Sequence, residues 1–105
     1  MIYEEDIRKL CLKGAVRMTL HVERQCRVRS ISMEQIEQAL MHGKIIKQYS
    51  DDRPYPSCLI LYAASQPLHV VASVNKTEVY VITAYHPDPN VWEPDFLTKK
   101  GAKQK

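Results

Sequence analysis

Histidine, arginine and tyrosine side chains suited to proton transfer and phosphate binding are scattered along this sequence. Imidazole titrates nearest to neutral pH, and the arginine fork matches the geometry of a phosphate. The sequence lacks a metal-ligand signature, a P-loop, a glycine-rich nucleotide fingerprint and a nucleophile elbow, and three glycines leave little from which to build such loops. We therefore expect neither a metal nor another cofactor. The candidate side chains are His21, Arg24, Arg27, Arg29, Arg53, Tyr55, His69, Thr83, Tyr85 and His86.

His21 is predicted to lie in the first turn of a helix that Thr19 caps, with Arg24 one turn further on. The N–H groups at such a helix start favour an anion, so this position suits a general base or a phosphate contact. The alternative is a histidine packed against a neighbouring helix with both ring nitrogens satisfied. Arg24 taken alone is typical of a solvated side chain, and only the face it shares with His21 makes it a candidate.

His69 lies in an apolar strand pattern, and Thr83 and Tyr85 share one face of the following strand. If Asn75 pairs with Glu78, His69 falls opposite Ala84 and faces away from Thr83 and Tyr85. A hairpin loop with an odd number of residues brings all three side chains to one face instead. The sequence leaves both registers open.

Basic residues are concentrated in two segments, although the formal net charge of the 105-residue chain is only +3. The first contains Arg17, Arg24, Arg27 and Arg29 with a single acid, Glu23. The second is the lysine-rich end of the chain, predicted as a solvated tail over residues 99–105. Nucleic acid or an acidic protein is the natural partner for such patches. Arg53 and Tyr55 lie in a segment explained first by turn chemistry, but both side chains can reach a substrate.

The predicted fold class is α+β, with three N-terminal helices packed on one face of a four-stranded antiparallel sheet. The helices are predicted over residues 4–13, 19–27 and 32–43, and the strands over residues 44–49, 58–64, 68–75 and 78–86. The short connections between strands leave no room for a crossover helix. We expect the helices to cover the face that bears Leu68, Val70, Ala72 and Val74.

Length and composition predict a single domain over residues 1–98. The three cysteines, Cys11, Cys26 and Cys58, are odd in number and far apart in the sequence, so we expect them to be free and buried. The sequence has neither an apolar run long enough for a membrane span nor the pattern of a signal peptide. We therefore expect a cytoplasmic protein that does not contact a membrane; its oligomeric state is left open.

Several short segments form a pattern through their order and spacing. They are Leu20-His21-Val22-Glu23-Arg24, Arg29-Ser30-Ile31-Ser32, Gly43-Lys44-Ile45-Ile46 with Tyr49, Tyr55-Pro56-Ser57-Cys58-Leu59, Pro67-Leu68-His69-Val70-Val71, and Ile82-Thr83-Ala84-Tyr85 with Pro87-Asp88-Pro89 and Trp92. Together they resemble the bacterial domain-of-unknown-function family 4258. That resemblance implies kinship with RelE-like ribonuclease toxins, a RelE-like fold, and an antitoxin protein encoded nearby. The family usually has glycine where this chain has Ser30, which affects only the turn before the third helix. The resemblance assigns functional positions to His21, Arg29, His69, Thr83 and Tyr85.

Two hypotheses follow. In the first, the protein is a metal-independent endoribonuclease toxin, or an inactive relative of one, in which arginines hold the scissile phosphate and histidine or tyrosine moves protons. Its predicted catalytic residues are His21, Arg24, Arg29, His69, Thr83 and Tyr85, and its predicted RNA-binding residues are Arg17, Arg27, Arg53 and Tyr55. In the second, the protein is a non-catalytic interaction module whose histidines fill the core. The first hypothesis requires His21 or His69 to share a cleft with an arginine.

Overall fold

Five strands form a mixed sheet in the order β1-β5-β4-β3-β2, and three helices pack on one of its faces. The structure is a computed structural model, and it describes residues 1–100. The elements are α1 (Glu4–Leu12), β1 (Val16–Arg17), α2 (Leu20–Val28), α3 (Met33–His42), β2 (Lys44–Tyr49), β3 (Ser57–Tyr62), β4 (Leu68–Val74) and β5 (Val79–Tyr85). None of the helices in residues 1–100 is long and apolar enough to cross a membrane.

The prediction of a four-stranded antiparallel sheet that follows three N-terminal helices is wrong in two respects. A fifth strand, β1, lies between α1 and α2, so that helices and strands are interleaved. This strand runs parallel to β5, pairing Val16 with Val79 and Arg17 with Tyr80, and the sheet is therefore mixed. A strand of two residues is too short to show the alternation by which strands are recognised in a sequence.

The starts of α2 and α3 follow local capping chemistry. The Thr19 hydroxyl accepts a hydrogen bond from the Val22 N–H at 3.2 Å, which begins α2 at the predicted position. Ser32 and Gln35 form the predicted capping box at the start of α3, each side chain accepting from the other residue's backbone N–H. The Thr19 cap places His21 in the first turn of α2.

A Schellman motif ends α2. The Ser30 N–H donates to the Arg27 carbonyl at 3.2 Å, and the Ile31 N–H donates to the Cys26 carbonyl at 2.8 Å. Ser30 occupies the position that is left-handed in this motif, with φ of 59°. A position that favours glycine is therefore filled by an L-residue.

The main core lies between the helices and the sheet face that bears Leu68, Val70 and Ala72, as the sequence predicts. Val22 and Cys26 of α2 are buried in this core. Because neighbouring strand residues point to opposite faces, His69 faces away from the helices.

The hairpin between β4 and β5 closes with the Asn75 N–H donating to the Glu78 carbonyl at 3.0 Å. In a regular antiparallel ladder this closure would place His69 opposite Ala84. A β-bulge in β5 shifts the register, so that His69 pairs with Tyr85 instead.

The bulge inserts one extra residue, Ile82, into β5. Beyond it Val71 pairs with Thr83 and His69 pairs with Tyr85. The three side chains His69, Thr83 and Tyr85 therefore share a face although the hairpin loop has two residues. The inserted Ile82 side chain is 45% exposed.

The chain after β5 covers part of the second face. Trp92 is buried there, and its ring lies edge-on to the His69 ring with centroids 4.4 Å apart. Of the predicted tail, the Lys100 N–H donates to the Val91 carbonyl at 2.8 Å. Residues 101–105 of that tail lie outside the described residues.

Candidate functional site

An open groove follows the edge of β5 where β1 ends. Strand β1 pairs with Val79 and Tyr80, and the chain then turns away into α2. The groove, here called the β5 groove, has a volume of about 620 Å³. Its lining includes Arg17, His21, Glu78, Tyr80 and Ile82. The sequence-predicted residues Arg17 and His21 thus lie in one depression.

The carboxylate of Glu78 organises the polar wall of the β5 groove. One of its oxygens lies 2.8 Å from Arg17 Nε, and the other accepts a hydrogen bond from the Tyr80 hydroxyl at 2.8 Å. This hydrogen bond and the negative charge of Glu78 raise the pKa of Tyr80. The Arg17 side chain stays about half exposed. It is therefore positioned by one anion while remaining accessible to another.

His21 is exposed at the α2 side of the groove. Its Nε2 lies 3.1 Å from the side-chain nitrogen of Gln25. An amide nitrogen donates, so this contact places a Gln25 N–H on His21 Nε2. His21 is exposed and Gln25 is partly exposed, so a substrate can take the place of this contact.

A second depression, here called the tyrosine hollow, adjoins the β5 groove across Tyr80 and Ile82, which line both. Its volume is about 290 Å³, and the loop bearing Arg53, Pro54 and Tyr55 forms its other wall. The lining is mostly apolar carbon, and Asp52 and Arg53 add one charge of each sign. The two depressions together form one path over the sheet edge.

Two buried serines hold the loop that walls the tyrosine hollow. Ser57 donates its hydroxyl hydrogen bond to the Asp52 carboxylate, and the Ser73 hydroxyl donates to the Pro56 carbonyl at 2.8 Å. Both serines are at least nine-tenths buried. The loop is therefore fastened at both ends while Tyr55 remains about half exposed.

His69 lies apart from this path and is fully buried on the second face of the sheet. Its Nε2 donates to the Phe96 carbonyl at 2.9 Å, which leaves Nδ1 to accept from the Tyr85 hydroxyl at 3.3 Å. Burial lowers the pKa of His69 more than the hydrogen bond to Phe96 raises it. Burial also raises the pKa of Tyr85. Both ring nitrogens of a neutral imidazole are thus engaged within the fold.

The predicted site residues are divided among six places. His21 and Arg17 line the β5 groove, and Arg53 and Tyr55 line the tyrosine hollow. Arg29 donates to Thr83 Oγ1 at 3.3 Å and to the Ala84 carbonyl at 2.8 Å, at the far end of β5. His69 and Tyr85 form the buried pair. Arg24 is exposed on α2, and Arg27 lines a separate groove between α2 and α3.

The structure does not bring the two predicted catalytic histidines together. His21 belongs to α2, which packs on the Val70 face of the sheet, whereas His69 points to the opposite face. Of the two, His21 is the histidine that shares a cleft with an arginine. The catalytic roles of the whole set stay predictions.

Three residues of the path, Glu78, Tyr80 and Ile82, were not among the sequence-predicted site residues. The alternation of β5 does place Glu78 and Tyr80 on one side, which is the available signal for their hydrogen bond. The bulge that exposes Ile82 has no signal in the sequence. Among residues 1–100, no three histidine, cysteine, aspartate or glutamate side chains are grouped to hold a metal ion.

A comparison with protein families matches residues 18–86 to the model of a domain of unknown function, DUF4258. The match covers more than half of the chain, so the chain belongs to this family. It includes α2, α3 and strands β2 to β5, whereas α1, β1 and the segment that carries Trp92 lie outside it. The chain matches no curated protein and no solved structure.

Proposed function

We propose that this member of the DUF4258 family is a metal-independent endoribonuclease that holds single-stranded RNA in the β5 groove. The observation that carries the proposal is the presence of His21 beside Arg17, Glu78 and Tyr80 in one open depression. A histidine that moves a proton and a cation that offsets the developing charge are the groups that such a reaction uses. Arg53 extends the positive charge along the path.

In the proposed reaction, the substrate displaces the Gln25 amide from His21, and His21 Nε2 takes the proton from a ribose 2′-hydroxyl as its oxygen attacks the adjacent phosphorus. The new oxygen–phosphorus bond gives a 2′,3′-cyclic phosphate, and the bond to the 5′ oxygen breaks. Water supplies the proton to that leaving oxygen. Arg17, positioned by Glu78, offsets the negative charge that develops on the phosphate. Tyr80 holds the other oxygen of Glu78 and so fixes the carboxylate.

This assignment gives His69 a structural role. A buried imidazole with both nitrogens bonded inside the fold has no lone pair or proton to offer a substrate. Arg29 Nη1 likewise donates to Thr83 and to the Ala84 carbonyl, away from the β5 groove. The proposed chemistry therefore rests on one histidine rather than two.

The test is cleavage of a fluorescently labelled single-stranded RNA by the purified protein in EDTA, with product ends identified by mass spectrometry. We expect cyclic phosphate ends. His21→Ala and Arg17→Ala should each reduce the rate, about 100-fold or more for the histidine that moves the proton. His42→Ala and Lys13→Ala, at exposed positions outside the path, are the matched controls. Intact RNA with the wild-type protein, or full activity in His21→Ala, contradicts the proposal.

We also propose that this activity makes the protein the toxin of a toxin–antitoxin pair. Induced expression in a bacterium should then stop growth, and coexpression of the neighbouring gene should restore it. His21→Ala should grow normally. Growth arrest that persists in His21→Ala would separate toxicity from RNA cleavage and contradict this assignment.

An interaction module is the second candidate, and the edge of β5 favours it. Within residues 1–100, no strand pairs with residues 82–85 on the side where β1 ends. An open strand edge can accept an extended segment of a partner protein. The opposite edge is covered differently, since Gln48 exchanges side-chain hydrogen bonds with the Ile2 backbone at 3.1 and 2.7 Å. Tight binding of a partner that is unaffected by His21→Ala, without RNA cleavage, would support the module.

A further inference from the structure

We propose that the tyrosine hollow is a base-binding subsite, in which the substrate nucleotide next to the scissile phosphate inserts its base between Tyr55 and the Tyr80–Ile82 surface. The proposal rests on the proposed function, because it assigns a substrate contact to the same path. It assigns a role in substrate binding to aromatic residues, which the chemistry at the phosphate does not require. Its occupant is one nucleobase of single-stranded RNA.

The first argument is the surface that the hollow offers. Tyr55 is 47% exposed, Tyr80 38% and Ile82 45%, so three large apolar side chains face solvent at one place. Aromatic faces that bind successive bases are the usual platform of proteins that bind single-stranded nucleic acid. The volume of about 290 Å³ lies just below the range of about 300–1,000 Å³ that is usual for pockets that bind drug-sized ligands. It suits one base rather than a larger ligand.

The second argument is charge. Arg53 lines the hollow together with Asp52, whose carboxylate accepts from Ser57. Arg17 lies in the adjoining β5 groove, where Glu78 pairs with its Nε and leaves the side chain half exposed. A ligand with an aromatic ring and neighbouring anionic groups fits an apolar hollow that adjoins two accessible arginines. A nucleotide in RNA has both, whereas an apolar peptide side chain offers the arginines no anion.

The third argument is rigidity. The loop that carries Tyr55 is fixed through Asp52 to Ser57 and through Pro56 to Ser73. The Tyr80 hydroxyl is held by Glu78 at 2.8 Å. A platform whose walls are held in advance loses little conformational entropy when a base enters. The bulge residue Ile82 completes the platform from the strand edge.

The experiment measures binding of fluorescein-labelled 2′-O-methyl octauridylate, which the proposed reaction does not cleave, by fluorescence anisotropy. We expect Tyr55→Ala to weaken binding about 5- to 150-fold, the range found when one base-stacking aromatic residue is removed. Tyr55→Phe should bind like the wild type because the ring remains. Tyr3→Ala is the matched control, since Tyr3 is an exposed tyrosine near the opposite edge of the sheet.

Salt dependence separates the subsite from the phosphate contacts. Tyr55→Ala should leave the slope of log K against log salt unchanged, whereas Arg17→Ala should reduce it by about 0.7. If Arg17→Ala weakens binding and Tyr55→Ala binds like the wild type, the base-binding subsite is wrong, whereas RNA binding in the β5 groove is supported.

A second arm uses uridine, which has no phosphate, and follows the ring signals of Tyr55 and Tyr80 by NMR. We expect saturable shifts at these rings and at the Ile82 methyl groups. If uridine gives these shifts and the oligonucleotide does not bind, the endoribonuclease proposal is wrong and the hollow is a nucleoside site. If neither ligand binds the wild-type protein, both proposals are wrong.

Discussion

Acid should destabilise this protein through His69 at a pH where the carboxylates are still ionised. The ring is fully buried, and its two nitrogens are satisfied only in the neutral form, by Phe96 and Tyr85. Burial holds the pKa of His69 below its ordinary value. The unfolded chain, in contrast, takes up this proton near pH 6.5. The stability that the neutral ring contributes is therefore fully present above about pH 6.5 and is lost as the pH falls below it.

The loss of stability per pH unit has an upper limit, because His69 takes up at most one proton on unfolding. The free energy of unfolding should fall by at most about 1.4 kcal/mol per pH unit below pH 6.5, until the folded protein itself takes up the proton. Urea unfolding between pH 5 and 8, followed by circular dichroism, measures this slope. His69→Gln should be less stable at pH 8 by about 1–3 kcal/mol, because a buried hydrogen-bonding group loses its partner. In His69→Gln the unfolding free energy should also change much less with pH between pH 5 and 6.5.

His21→Gln is the matched control, because His21 is exposed and outside the core. Its unfolding free energy should follow the wild-type pH dependence. Equal slopes in the wild type and His69→Gln would refute the assignment of His69 as a buried neutral ring. A wild-type slope of zero between pH 5 and 6.5 would refute it as well.

Two further outcomes test local structure. Ser30→Gly should stabilise the protein by about 0.5–1 kcal/mol, because relief of a left-handed L-residue, about 1–2 kcal/mol, exceeds the added backbone entropy of glycine in the unfolded chain. Calorimetry should show this as a higher Tm, whereas Ser65→Gly, which has no positive φ to relieve, should lower it. Burial raises the pKa of the Cys58 thiol to about 12, so Cys58 should not react with a thiol reagent at pH 8 until the protein unfolds. The half-buried Cys11 should react first; simultaneous reaction of both would contradict the burial of Cys58.

The helices and the long strands could be predicted because their signals are local. The capping box at Ser32 and the alternation around Val70 each report on a few neighbouring residues. Strand β1 could not, since its place depends on the Val79 N–H meeting the Ala15 carbonyl at 2.9 Å, some sixty residues away in sequence. A parallel pairing of two residues leaves no periodic trace.

Residue chemistry identifies candidate side chains but does not group them. Arg17, His21, Arg53 and Tyr55 are each candidates by residue type, yet nothing in their spacing joins Tyr55 to His21. Tyr80 and Ile82 of β5 connect the two depressions, and Ile82 is the bulge residue. The sequence cannot show that the His69 ring is satisfied within the fold, because its partners lie across a hairpin and in the last described segment of the chain.

The bulge itself offers the most direct test of how the fold builds the site. Residues on either side of Ile82 already pair as Ala72 with Val81 and Val71 with Thr83. Deletion of Ile82 therefore converts β5 into a regular strand without changing any of these pairs, and the contact between His69 and Tyr85 should survive.

We expect the deletion variant to fold, with a urea midpoint close to that of the wild type, because Ile82 is an exposed residue outside the ladder. Its affinity for 2′-O-methyl octauridylate should fall, since the β5 groove and the tyrosine hollow both lose Ile82 from the wall that they share. Ile82→Ala is the companion variant, because it keeps the bulge and removes only the side chain. Weaker binding in the deletion than in Ile82→Ala would show that the bulge sets the geometry of the path. Wild-type binding by a folded deletion variant would show that RNA does not cross the strand at this point.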